Sequence, residues 1–141
     1  MWQIYQPAKS IFGEGEIKNI GKYMAEAGMD KALLISTPSM VRHGIAEQVK
    51  AASGGRIIEI SDHVLPDAHV SNVNENIDIA LRIGAKSIVA LGGGSAIDCA
   101  KVTAAAIGEG VRAEAFLGRG IPAKKSCPFW RSPPPPVPAA S

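Results

Sequence analysis

Leu91-Gly92-Gly93-Gly94-Ser95-Ala96-Ile97-Asp98-Cys99-Ala100-Lys101 is the stretch on which the fold turns. It follows Ser87-Ile88-Val89-Ala90-Leu91, the most strand-like run in the chain, and opens an alanine-rich run from Ala96 to Ile107 that reads as a helix. A strand, a glycine turn and a helix in that order build an anion site. Successive residues without Cβ let the backbone turn sharply and approach a ligand, and the amides of the helix's first turn point at whatever sits there. Phosphate is the natural occupant. Ser95 is expected to serve as N-cap, with Asp98 completing a Ser-x-x-acid capping box. The same glycines also fit a tight turn with no ligand, and the local pattern leaves both readings open.

Two better-known phosphate signatures are excluded. A G-x-G-x-x-G beginning at Gly92 would need glycine where Ile97 stands, and the Gly-Lys-Ser/Thr of a Walker A loop is nowhere present.

Outward from the glycine turn, the pattern alternates. Short apolar runs at Trp2 to Tyr5 and Ser10 to Phe12 flank Pro7 and predict a small edge strand or hairpin. Ile17, Ile20, Met24 and Ala27 recur at helical intervals, and Gly28 supplies a stop. Ala32-Leu33-Leu34-Ile35-Ser36 has the length and composition of a strand buried on both faces, which puts Thr37 just past a strand's carboxyl end. A turn or short helix from Pro38 to Val41 and a helix from Ile45 to Ala52 lead to Gly54-Gly55, and Arg56 to Ile60 reads as the next strand. After a loop containing Pro66, Ser71 is expected to cap a helix whose Val73, Ile77 and Leu81 form one apolar face, closed by Gly84. Strands alternating with helices over short connections predict an α/β domain: a Rossmann-like parallel sheet with helices on both faces. Ligands of such sheets bind at the carboxyl ends of the strands, near the point where the chain reverses its direction of winding. Thr37, the Pro66-Asp67 loop and Gly92 to Ser95 all follow strands, so they are expected to line one crevice.

Composition narrows the function classes. The chain has 141 residues, 46% hydrophobic, 20% charged, with a net charge of +2, so it suits one domain with an ample core and no field that would select nucleic acid or a membrane surface. Cys99 and Cys127 form no C-x-x-C pair, and His43, His63 and His69 show no H-x-x-x-H spacing, so no metal site is expected from them. No apolar run is long enough for a membrane span and Met1 to Tyr5 lacks signal-peptide character, which makes the cytoplasm the expected location.

Gly92-Gly93-Gly94-Ser95-Ala96-Ile97-Asp98-Cys99-Ala100-Lys101, with Ser10-Ile11-Phe12-Gly13-Glu14-Gly15 and Phe116-Leu117-Gly118, closely resembles the N-terminal domain of the iron-containing (group III) alcohol dehydrogenases; dehydroquinate synthase and glycerol dehydrogenase are more distant relatives. The resemblance covers residues 1 to about 125. It implies that Gly92, Gly93, Gly94 and Ser95 hold a cofactor pyrophosphate, that Asp98 lies beside the cofactor, and that Asp67 takes the place of a cofactor-contacting asparagine. The family's aspartate that accepts from the adenosine ribose is replaced by Thr37, with Arg42 close in sequence, so NADP is as compatible as NAD. The resemblance further implies that the intact enzyme, a homo-oligomer, transfers hydride between a small alcohol or aldehyde and the nicotinamide with Fe²⁺ or Zn²⁺ held by a C-terminal helical domain. That domain is not found in these residues, so the chain alone is expected to be inactive. A stand-alone nucleotide- or phosphate-binding module is the alternative.

From Ser126 the composition changes to a proline-rich tail, Pro133 to Pro136 and Pro138 included. Its literal reading is a polyproline II segment and ligand of SH3-type domains. Permitted codons for Phe129 to Ser141, read two bases in, instead translate as L-A-I-P-T-T-A-G-T-G-S-E, a loop typical of the family. The expectation is therefore that residues 126–141 are out of frame and disordered, that the chain ends prematurely, and that the sheet loses the next strand, leaving an open edge.

Overall fold

The computed structural model describes residues 16–64, 70–116 and 129–132. Four parallel strands, β1 (Ala32–Ser36), β2 (Ile57–Ser61), β3 (Ser87–Leu91) and β4 (Phe129–Ser132), form one sheet in the order β2-β1-β3-β4. Five helices accompany them: α1 (Ile20–Glu26), α2 (Pro38–Arg42), α3 (Ile45–Ala52), α4 (Val70–Ile83) and α5 (Gly94–Glu109). The hairpin expected at residues 2–12 lies outside the described residues.

The period of two in β1 and β3 assigns each residue to a face, and both faces are covered. Leu33, Ile35, Ile88 and Ala90 pack against α4 and α5 through Val73, Ile77, Ala80, Ala100 and Ala104. Leu34, Val89 and Leu91 pack on the other face against Ile20 and Met24 of α1 and Ala46 and Val49 of α3. All five residues of β1 and of β3 are buried, as continuous apolar runs require in a sheet covered on both sides. Small alanines along α5 let that helix lie close on the sheet.

Three details depart from the sequence expectation. The apolar face of α4 is Val73, Ile77 and Ala80, while Leu81 is 62% exposed; the stripe follows the i, i+3, i+4 rows and passes over Ala80. Ala27 is exposed, and Met29, beyond the helix end, takes the buried place. The tail, read as irregular, contributes β4: Phe129–Ser132 pairs in parallel with Ile88–Leu91 and occupies the β3 edge that was expected to stand open.

A polar network is buried within the α4–α5 layer. Asn76 is fully buried; its side-chain amide donates to the carbonyls of His63 (3.0 Å) and Asn72 (3.1 Å) and to Cys99 Sγ (3.1 Å), and it accepts from the Ser61 hydroxyl. Burial pushes the Cys99 thiol above its ordinary value of 9.0, with the Asn76 hydrogen bond opposing. The contribution to stability is therefore full below 9.0, where the unfolded chain's thiol also keeps its proton, and is lost as pH rises from there through the raised value of the folded state. In a C127S chain, a thiol reagent at neutral pH is expected to label Cys99 only after denaturation; rapid labelling of the native chain would show that α5 opens locally.

Candidate functional site

The site lies where the chain changes its direction of winding. After β1 the chain leaves through α2 and α3 toward β2; after β3 it leaves through α5 on the opposite face. Adjacent strands whose following helices diverge leave a crevice between their carboxyl ends. Ser36 holds the two strand ends together, its buried hydroxyl donating to the Leu91 carbonyl (2.9 Å).

A cleft of about 390 Å³ occupies this crevice, with Thr37 and Arg42 on the β1 side, Gly93, Gly94 and Ser95 on the β3 side, and Val64 at the end of β2. Thr37 caps α2, accepting from Met40 N at 3.3 Å, and Pro38 at the first helical position suits the fixed φ of that turn. Gly92 is buried with φ +141, and a Cβ there would lie 3.2 Å from Ala96 Cβ and 3.3 Å from Thr37 Cγ2. Only glycine meets both the backbone angle and the close approach of the two strand ends.

The helix start differs from the expected capping box. α5 begins at Gly94, and its N-cap is the extended Gly93 (φ −83, ψ −163), which has no side chain to cap with. Ser95 therefore sits inside the first turn and Asp98 beyond it, exposed on α5 and outside the cleft lining. The physical reason is in the turn: with Gly92 folded back at positive φ, the helical path starts two residues earlier than serine chemistry alone would set it. Ile97 N donates to the Gly93 carbonyl (3.1 Å), which closes the first turn of α5 beside the cleft that Gly93 and Gly94 line. A glycine cap leaves the positive end of a 16-residue helix uncovered by its own side chain.

Of the residues singled out from sequence, the cleft brings together Thr37, Gly93, Gly94 and Ser95; Gly92, buried next to Gly93, and Asp98 are not part of its lining. Asp67, with Pro66, lies outside the described residues. Sequence reasoning missed Val64 and Asn76. Asn76 grips the His63 carbonyl and so fixes the segment that carries Val64 to the cleft; the signal was a polar residue next to Ile77 on the apolar side of α4. His63 itself faces Glu75 (Nδ1–Oε2 2.9 Å). Among the described residues no three His, Cys, Asp or Glu side chains gather as a metal site, so these residues do not fit the divalent ion implied by the resemblance, and no step is derived through it. Among them, too, no helix is long and apolar enough to cross a membrane.

Comparison with known proteins agrees with this geometry. The chain is 33% identical over 99 residues to alcohol dehydrogenase 4 of Schizosaccharomyces pombe, covering 69% of this chain and 24% of that protein. It superposes on NADH-dependent butanol dehydrogenase A of Thermotoga maritima with a TM-score of 0.77 and 29% identity, covering 93% of this chain and 34% of that one. The sulfoacetaldehyde reductase of Bifidobacterium kashiwanohense, solved in complex with NAD⁺, shares the fold with a TM-score of 0.83 at 24% identity, over 94% of this chain and 36% of that one. The chain spans a quarter to a third of the length of the curated relatives it matches. Residues 7–133 match the profile of the iron-containing alcohol dehydrogenases, and the chain belongs to that family.

Proposed function

We propose that this chain is the nicotinamide-dinucleotide-binding part of an iron-containing alcohol dehydrogenase, with the pyrophosphate seated on Gly93, Gly94 and Ser95 and the adenosine half running toward Thr37. The observation that carries this is the glycine-capped start of α5 facing the β1 end across the switch-point cleft. Membership of the family, the names of relatives described as NADH-dependent and a neighbour solved with NAD⁺ support the cofactor class. In the whole enzyme a bound nicotinamide would supply hydride exchange with a small alcohol or aldehyde, and a divalent ion, Fe²⁺ or Zn²⁺, would supply charge to polarise the substrate oxygen. The described residues are assigned cofactor binding, and turnover is assigned to the whole enzyme. Cytoplasmic location, homo-oligomeric assembly of the intact enzyme, and Asp67 and Asp98 as further cofactor contacts belong to the same proposal.

Calorimetric titration of the 141-residue chain with NADH, NADPH, ATP and inorganic phosphate tests it. Binding of a reduced dinucleotide in preference to ATP is expected. Preference for ATP or phosphate would replace it with a stand-alone nucleotide- or phosphate-binding module.

A further inference from the structure

The amino ends of the strands, on the side of the sheet opposite the cleft, carry a row of cations. Ala32 is the register partner of both Ile57 and Ser87, so the residues that precede these three, Lys31, Arg56 and Lys86, stand abreast where β1, β2 and β3 begin. Two backbone bonds tie them together: Ala32 N donates to the Arg56 carbonyl (2.8 Å), and Lys86 N donates to the Lys31 carbonyl (2.9 Å). Their backbones are therefore one strand spacing apart, about 4.8 Å. Lys31 and Lys86 are exposed, while Arg56 is half-buried and donates from Nη1 to the Met29 carbonyl (3.1 Å), which turns its guanidinium toward the start of β1. The ion pairs among the described residues are His63–Glu75, Arg82–Glu59 and Arg112–Asp78, and none of them uses a cation of the row. Asp30, next to Lys31, accepts from the Lys31 backbone amide (2.9 Å).

The backbone supplies a second observation. Lys31 is the one non-glycine residue with positive φ (45) among the described residues. Glycine adopts this conformation without steric cost, whereas a Cβ there crowds its own backbone. The turn into β1 would form more readily with glycine, and what the lysine adds is a charge. We propose that Lys31, Arg56 and Lys86 form a docking row for an acidic stretch of a partner protein, whose carboxylates meet the three cations in turn. Carboxylates suit the row better than a nucleic-acid backbone, because the net charge of the whole chain is only +2 and the positive field is local to this end of the sheet. Contacts of this kind steer encounter and fix register more than they add affinity. The row lies at the far end of the strands from the cleft, so the two sites can be filled together.

The test titrates the 141-residue chain with a labelled octaglutamate peptide at low ionic strength, read by fluorescence anisotropy, with octathymidylate as the competing polyanion. Octaglutamate is expected to bind and to be released as salt is raised. Lys31→Gly and Lys86→Gln are each expected to weaken it about threefold and the double variant about tenfold, as exposed charge pairs do. Lys31→Arg should keep the affinity, and removing two cations outside the row, Lys18→Gln with Lys101→Gln, should leave it unchanged. Absence of octaglutamate binding, affinity that survives loss of both Lys31 and Lys86, or equal weakening by the control pair overturns the row. Tighter binding of octathymidylate overturns the carboxylate assignment and makes the partner a nucleic acid. Lys31→Gly is also expected to melt no lower than the unaltered chain, since glycine relieves the turn; a lower melting temperature would make the lysine a structural residue and remove it from the row. Circular dichroism checks that each variant is folded; should Lys31→Gly not fold, Lys86→Gln decides.

Discussion

Replacing Gly94 with aspartate is expected to abolish dinucleotide binding while leaving the chain as stable as before or slightly more so. The two effects have different origins, and both can be read from one position. Gly94 is the first residue of α5, and a Cβ added there meets nothing within 4 Å, so the side chain fits without displacing anything. A carboxylate in the first turn also favours the helix dipole, by about 0.3–1 kcal/mol. The space into which it extends is the cleft itself. A negative charge at the proposed seat of the pyrophosphate opposes the ligand's own charge, and a loss of about a hundredfold or more in affinity is expected, close to 2.7 kcal/mol. Thermal unfolding and calorimetric titration of the same preparation read the two outcomes separately. Retained NADH and NADPH affinity in a folded G94D chain would move the pyrophosphate away from this helix end.

The largest loss of stability is expected on the opposite side of the α4–α5 layer, at Asn76→Leu. Leucine keeps the branch at Cγ but is larger than asparagine, so overpacking at this fully buried position adds to the cost. It cannot accept from Ser61 or donate to the His63 carbonyl, and both groups are left inside the protein. A destabilisation of about 3 kcal/mol is expected, seen as a shift of roughly 1.5 M in the urea midpoint. Leu81→Ala on the same helix provides the contrast: being 62% exposed, it should cost under about 1 kcal/mol. If the two variants shift the midpoint equally, the polar network contributes nothing beyond an ordinary helix position. Dinucleotide affinity should also weaken in Asn76→Leu, because the His63 carbonyl that it releases precedes Val64 in the cleft.

How far the sequence could be read depended on what kind of force set each feature. β1 and β3 were legible to the residue, because unbroken runs of branched apolar side chains bounded by polar turns have one sensible use in a sheet covered on both faces. The parallel order followed from alternation with helices, and the crevice from where the strands end. The start of α5 was misread because Ser95 and Asp98 match a local capping motif, while the turn at Gly92, at φ +141 and with Ala96 and Thr37 leaving no room for a side chain, lets the helix start at Gly94. Local chemistry yielded to tertiary packing there. The face of α4 was misassigned between Ala80 and Leu81 because neighbouring rows differ by a small rotation that only the sheet beneath decides. β4 was unreadable for another reason: pairing with β3 depends on the backbone of Phe129–Ser132, and no hydrophobic period in so short a segment announces it.

The strand order has a consequence in time as well as in space. β1 sits at the centre of the sheet, yet its partner on one side, β3, lies 55 residues further along the chain at the Ser36–Leu91 contact. Emerging residues up to the end of β2 can therefore form only half of a parallel pairing, with one long edge of β1 unmatched until Ser87–Leu91 has been made. Closing such a loop precedes the contacts that reward it, which makes sheets of this order slow to assemble and exposed to wrong partners while they wait. The glycine turn proposed to seat the cofactor comes directly after the strand whose arrival completes the pairing of β1, so competence to bind is expected to appear during synthesis only once β3 and α5 have been made.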